Sequence, residues 1–288
     1  MLVFESLVFA FLAMLCWGFG DFFIQHSVRK TGDIETMAFL GLLGALILSP
    51  LVLPEIFLLF NSGNLVVLFM LGVITLATSL ITFEAFKRGK LSVTEVVIEL
   101  ELPITIILGA VFFMESISLT QLAIIGLIFV GLILVATKSF SHYRSFLEKG
   151  IFIALIAALL MGATNFLVGA SARQLAPVIS IWSAWLFTGL VGLLIIFRRE
   201  GVKKFTSNVI KHKWLVIATV IFDTFAWLFY AFAISQREIG IITAITESYV
   251  VIGVSLGLIF NKEKIAPHQI FGCVLAIGAS ILLALSIV

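Results

Sequence analysis

Residues 15–23 read LCWGFGDFF and place an aspartate, Asp21, inside an apolar run from Leu7 to Ile24. In a water-soluble chain such an acid would mark a turn or a surface. Here 61% of the 288 residues are hydrophobic and 12% are charged, with a mean hydropathy of +1.23. Ordinary globular domains have roughly 45–50% apolar and 25% charged residues. The run is therefore a membrane span, and Asp21 is a carboxyl within it.

Outward from that run, apolar stretches bounded by charges, Gly or Pro divide the chain into ten helices, because in lipid each segment must satisfy its own backbone hydrogen bonds. They are expected at about 6–28, 35–53, 65–86, 92–113, 118–137, 150–172, 178–197, 214–235, 240–260 and 266–287. The basic residues test this partition, since cytoplasmic loops retain Lys and Arg. One side of the membrane receives 16 of the 18, from Arg29 and Lys30 to Lys262 and Lys264, and the other only Arg173 and Arg237. Adding or losing one interior span would scramble that split. The basic side is reached after odd-numbered spans, so both termini are expected outside the cytoplasm of a multi-pass plasma-membrane protein. The N-terminal MLVFESLVFAFLAMLCWGFG has no basic leader and no A-x-A site, so it reads as a retained span.

The composition also excludes some functions. A formal charge of +2 gives no reason to expect nucleic acid. Cys16 and Cys273 both fall in apolar runs without metal-ligand or disulfide spacing, and they read as small buried hydrophobes. No metal or cofactor is expected. The chain lacks a G-x-x-x-x-G-K-[ST] phosphate loop, so it has no ATP-driven pump of its own.

The sequence repeats itself. LCWGFGDFF at 15–23 aligns with LLMGATNFL at 159–167, pairing Gly18 with Gly162 and Asp21 with Asn165. FLGLLGALI at 39–47 aligns with FTGLVGLLI at 187–195, and FEAF at 83–86 with FYAF at 229–232. Glu99, Glu115, Ile117 and Gln121 align with Glu247, Glu263, Ile265 and Gln269. The order is kept and the offsets differ by only a few residues. The reading is an all-α membrane protein of two five-helix repeats, 1–138 and 150–288, joined by a cytoplasmic linker at 139–149. Because five is odd, the second copy is inverted, and a central cavity is expected between the halves near the midplane.

These features resemble the drug/metabolite transporter (DMT) superfamily, EamA type, over essentially the whole chain. The resemblance rests on ten spans in two halves, Trp17-Gly18-Phe19-Gly20 in the first span, Ala85-Phe86 ending the third and Pro103 within the fourth. Glu115 then leads into a fifth span with Gly126 and Gly131. It implies a basket of helices around a central cavity, alternating access, and often export of amino acids or other small metabolites. Two positions depart from the pattern: Met161 stands where the first repeat has Trp17, and Val251 where it has Pro103.

Five acids fall within spans, Asp21, Glu99, Glu101, Asp223 and Glu247, and no Lys or Arg does. A charge at the bilayer centre costs roughly 2.5–3.5 kcal/mol on insertion scales. Such a set is either protonated glue between helices or a site for protons or cations. Helical geometry ranks them. Glu99 and Glu247 are repeat mates on opposite sides of the midplane, and Glu95 shares the Glu99 face. Glu101 points about 200° from Glu99 on one continuous helix, so it is read as an interhelical contact near its mate Tyr249. Asp21 is paired with the uncharged Asn165, and Asp223 shares its helix with Trp227 and Tyr230. The predicted substrate- and proton-binding set is Glu99, Glu247, Asp21, Asp223, Asn165, Trp17, Trp227 and Tyr230. Gly253 and Gly257, with Thr105 and Gly109 as counterparts, are expected to let helices approach within the fold. His26 is read as a solvated residue at its span's end.

The leading function is a secondary active transporter, proton-linked and exporting, of a small polar metabolite such as an amino acid. A sugar or an organic cation or drug on the same fold is the alternative. An intramembrane enzyme finds no His–Asp, Ser–Lys or metal-ligand cluster in the spans, and a non-transporting structural protein does not explain the repeat or the buried acids. The expected partners are the substrate, protons and the lipid bilayer, with the oligomer open between monomer and homodimer.

Overall fold

The computed structural model describes residues 2–113, 118–137, 149–199, 201–235 and 239–287, and their regular structure is helical. In the first half α1 (Leu2–Lys30) and α2 (Asp33–Val52) are followed by a 3₁₀ segment, Leu53–Phe60. Next come α3 (Ser62–Arg88), α4 (Leu91–Ile98), α5 (Glu101–Phe113) and α6 (Leu119–Ala136). The second half has α7 (Ile151–Gln174), α8 (Pro177–Arg199), α9 (Val202–Lys211), α10 (Lys213–Ser235) and α11 (Ile239–Thr246), a 3₁₀ turn at Glu247–Tyr249, α12 (Val250–Ile259) and α13 (Pro267–Ile287). Among the described residues six helical stretches are long and apolar enough to cross a bilayer: Glu5–Lys30, Asp33–Phe60, Ser62–Arg88, Ile151–Gln174, Pro177–Arg199 and Lys213–Ser235. Leu119–Val135, Glu247–Ile259 and Pro267–Ala279 are shorter apolar helices. The expected linker at 139–149 lies outside the described residues except for Lys149, as do Glu115 and Arg237.

The halves pack as a pair of repeats should. α1 lies on α10 and α3 on α7, a matched exchange, while α2 packs on its own counterpart α8 and α6 on α13. Glycines let the two self-paired crossings close. A Cβ on Gly41 would stand 2.5 Å from the amide nitrogen of Gly189, and one on Gly272 would stand 2.7 Å from the carbonyl oxygen of Gly131. With no hydrophobic drive between helices in lipid, such close backbone packing is a main source of association. Gly253 and Gly257 serve the same purpose within the fold. Their Cβ positions would lie 2.9 Å from Glu95 Oε1 and 3.0 Å from the Ser92 nitrogen, where α12 meets α4.

The structure corrects two helices. The expected helix at 92–113 is broken after Ile98, with Glu99 and Leu100 in a turn, and the one at 240–260 is interrupted at Glu247–Tyr249. Pro103 supplies the first break: it has no N–H to donate to the Glu99 carbonyl, which instead accepts from Leu102 N at 3.1 Å. The second break has Val251 at the proline position, so a tighter 3₁₀ turn replaces the open one and no Pro or Gly marks it in the sequence. The breaks occupy equivalent places in the two repeats.

Polar contacts tie the basic loop ends into one face. Arg29 donates to the Gly89 carbonyl, Lys90 Nζ to the Lys264 carbonyl at 2.7 Å, and Lys87 pairs with Asp33 at 3.1 Å. Glu263 accepts from Leu91 N and Ser92 N at 2.8 and 2.9 Å and from Ser92 Oγ at 2.7 Å. It thereby caps the orphan amides that begin α4. The side-chain amides of Gln25 and Asn261 meet at 2.8 Å. At the opposite face Glu55 accepts from Ile179 N at 2.9 Å.

Candidate functional site

A cavity of about 60 Å³ opens among α1, α2, α3, α7, α8, α10 and the helix breaks, room for a few water molecules. Three carboxyls reach it from three helices: Asp21 on α1, Glu101 at the start of α5 and Asp223 on α10. Asp21 is nine residues from Lys30, about 14 Å along the helix, near the middle of a ~30 Å hydrocarbon layer. It is partly exposed, and because it lines the cavity that exposure is to the cavity. Behind Gly18, a Cβ would meet Ile252 at 2.6 Å, so this glycine seats α1 against α12 beside the site.

The other acids form a second layer. The Glu95 carboxyl lies against that of Asp21, and Glu247 against Glu101. Glu95, Glu99, Glu101 and Glu247 are each at most 3% exposed. Among the described residues, both oxygens of Glu95 and one each of Glu101 and Glu247 meet no N–H or O–H donor. Two carboxyl groups hydrogen-bond only while one of them carries a proton, since like charges at that range repel strongly. Asp21 shares the cavity lining with Glu101 and Asp223. Among the described residues no Lys, Arg or His lines the cavity.

Aromatic side chains wall one end. Trp17 meets Trp227 edge-on with ring centroids 5.1 Å apart, and Trp185 approaches Trp227 at 6.0 Å. Trp227 follows Asp223 by one helical turn and lines the same cavity, and Trp185 Nε1 donates to Thr224 Oγ1 at 3.2 Å. A hydroxyl stripe on α3 lines the cavity too: Thr75, Thr78, Ser79 and Thr82 stand at the i, i+3, i+4, i+7 positions of one helix face. Thr78 Oγ1 meets Thr164 Oγ1 at 2.8 Å, while the buried hydroxyls of Thr75 and Thr82 find no partner among the described residues.

Of the eight residues expected from the sequence, Asp21, Asp223, Asn165, Trp17 and Trp227 line the cavity. Tyr230 does not. It is fully buried behind Trp17, and its hydroxyl meets Thr243 Oγ1 at 2.8 Å. Glu99 and Glu247 also lie outside the lining, whereas Glu101 and Tyr249, set aside by the sequence reading, are in it. The physical reason is the break at Glu99–Leu100: 100° per residue does not carry across a turn, so the angle computed from Glu99 to Glu101 on one continuous helix fails. Glu95, expected at the end of its span, is instead wholly buried against Asp21. The hydroxyl stripe was missed although T-x-x-T-S-x-x-T at 75–82 was its signal. His26 is half-buried, with Nδ1 2.8 Å from the Phe22 carbonyl oxygen.

The family model of the EamA-like transporter family matches residues 5–137 and 148–285. No curated protein matches the sequence. Solved structures share the fold. One crystal structure of another protein aligns over 98% of this chain and 98% of its own, at a TM-score of 0.67 and 14% identity, a likeness of fold alone.

Proposed function

We propose that this chain, which belongs to the EamA-like transporter family, is a proton-linked secondary transporter that exports a small polar metabolite carrying an amino group, such as an amino acid. The observation that carries this reading is a cavity with Asp21, Glu101 and Asp223 and no basic side chain in its described lining. An ammonium group would sit among these carboxyls against the Trp17 and Trp227 faces, where charge and cation–π attraction act together. The open hydroxyls of Thr75 and Thr82 would bind the substrate's polar end. When the cation arrives, the Asp21–Glu95 or Glu101–Glu247 pair gives up its shared proton, which links the two flows. The same lack of bases also supports a second reading, an organic cation without a carboxylate, for which the aromatic side chains would serve alone; a sugar would donate hydroxyls to the same acids but carries no charge to displace their proton.

In this reading ten spans, with α4–α5 and α11–α12 each crossing as one broken helix, rock about the paired breaks to give alternating access. No enzymatic step is required. The test begins with melting temperatures of the purified protein against amino acids, their decarboxylated amines, sugars, nucleosides and quaternary ammonium ions. Ligand at 100 times its Kd stabilises by about 2.7 kcal/mol, a rise on the order of 5 °C. The best ligand is then added to liposomes loaded with a pH dye, where a matching proton flux is expected. Stabilisation by uncharged sugars alone, with no proton movement, would overturn the reading.

The same reading places the basic face in the cytoplasm of the plasma membrane and both termini outside, following the distribution of Lys and Arg. A cysteine introduced at Ser62, which lies at the opposite face, is expected to react with an impermeant thiol reagent on intact cells. Protection of that cysteine until the membrane is opened would reverse the orientation.

A further inference from the structure

The connections that follow α2 and α8 occupy equivalent places in the two repeats but have opposite characters. Leu53–Phe60 has one acid, Glu55, and no base, and Leu53, Phe57 and Phe60 are 66%, 63% and 88% exposed. Because Glu55 touches the first turn of α8 at Ile179 and α9 follows the last, the 23 residues of α8 hold the two connections about 34 Å apart, on opposite faces of the membrane.

α9 and its flanks, residues 198–213, hold six basic residues and one acid, Glu200. At 100° per residue, Val202, Phe205 and Val209 form one face, and Phe205 and Val209 pack against the core. Lys203, Thr206, Ser207 and Lys211 are exposed on the other side. Ile210, 64% exposed, flanks that basic face, and Trp214, 75% exposed, follows it with Lys213 Nζ 5.5 Å from its ring centroid. Among the described residues the ion pairs at this face engage Lys87 and Arg88 with Asp33 and Glu84, not α9. A short helix with an anchored apolar face, solvent-directed lysines and large apolar side chains at the rim is built to lie in a headgroup layer.

We infer that α9 is a docking surface for anionic phospholipid, with Lys203, Lys211 and Lys213 meeting headgroup phosphates while Ile210 and Trp214 enter the acyl boundary. Charge complementarity selects the occupant, because neutral headgroups leave these lysines without counter-charge. The Leu53–Phe60 connection, apolar and without bases, lacks that selectivity on the opposite leaflet. This inference stands on the α9 surface and needs no particular substrate.

The test uses the full-length protein in vesicles of phosphatidylcholine with increasing phosphatidylglycerol, one lipid or the other brominated to quench Trp214, the Trp214→Phe variant identifying its share of the fluorescence. The expected result is preferential quenching by brominated phosphatidylglycerol that weakens with salt and persists in soluble glycerophosphate. At about fivefold per lysine near a charged surface, Lys203→Gln with Lys211→Gln should lower that preference by on the order of thirtyfold. Lys262→Gln should leave it intact. Equal quenching by the two lipids in the unaltered protein, or a preference unchanged by the double substitution, would overturn the assignment.

Discussion

Asp21→Asn is expected to abolish proton-coupled transport while leaving the protein folded and inserted. Asp21 lines the cavity with Glu101 and Asp223 and lies against the Glu95 carboxyl. Asparagine keeps the size and removes both the charge and the exchangeable proton. Losing a charge-assisted contact to a bound ammonium group costs about 1.5–3 kcal/mol, a loss of affinity of roughly 10- to 100-fold, and the proton signal should vanish with it. Asn165→Ala, at the repeat-equivalent position, should cost far less because an amide there supplies only neutral hydrogen bonds. Uptake per folded molecule and melting temperature are measured together for both variants. If Asp21 only glues helices, Asp21→Asn lowers the melting temperature and leaves transport per folded molecule unchanged, and that pattern would remove Asp21 from the mechanism.

Gly41→Leu is expected to have the largest effect on the fold. Its Cβ would stand 2.5–2.6 Å from the backbone of Gly189 and from the Trp185 carbonyl oxygen, and backbone on both sides cannot step aside as a flexible side chain can. Overpacking of this kind costs about 3 kcal/mol, a fall in melting temperature on the order of 6 °C, read as loss of the monodisperse peak after mild heating in detergent. Gly126→Leu is the matched control, because a Cβ there meets nothing within 4 Å. Equal behaviour of the two variants would mean that the α2–α8 crossing is not what holds the repeats together.

Much of this molecule could be read from sequence because the bilayer enforces a simple rule. An apolar solvent demands long apolar helices, and a carboxyl inside one has to be placed on purpose. That argument singled out Asp21 and Asp223, which line the cavity, together with Glu99 and Glu247, which do not. The glycines of FLGLLGALI and FTGLVGLLI belonged to a repeat before any coordinates were considered, and the structure shows why both copies need them. Pro103 was visible too, although its consequence was not.

The sequence by itself determined an all-helical membrane protein, the doubling of its unit and the presence of acids but no Lys or Arg within the spans, because each follows from hydropathy, order and composition along the chain. Which acids face the cavity was decided only by the tertiary structure. Periodicity assigns a side chain to a face only while the helix continues, and the turns at Glu99–Leu100 and Glu247–Tyr249 reset the angle midway. Glu101 therefore enters the cavity, Glu99 and Glu247 lie outside its lining, and Glu95 pairs with Asp21 through a contact between helices that spacing along either one cannot contain.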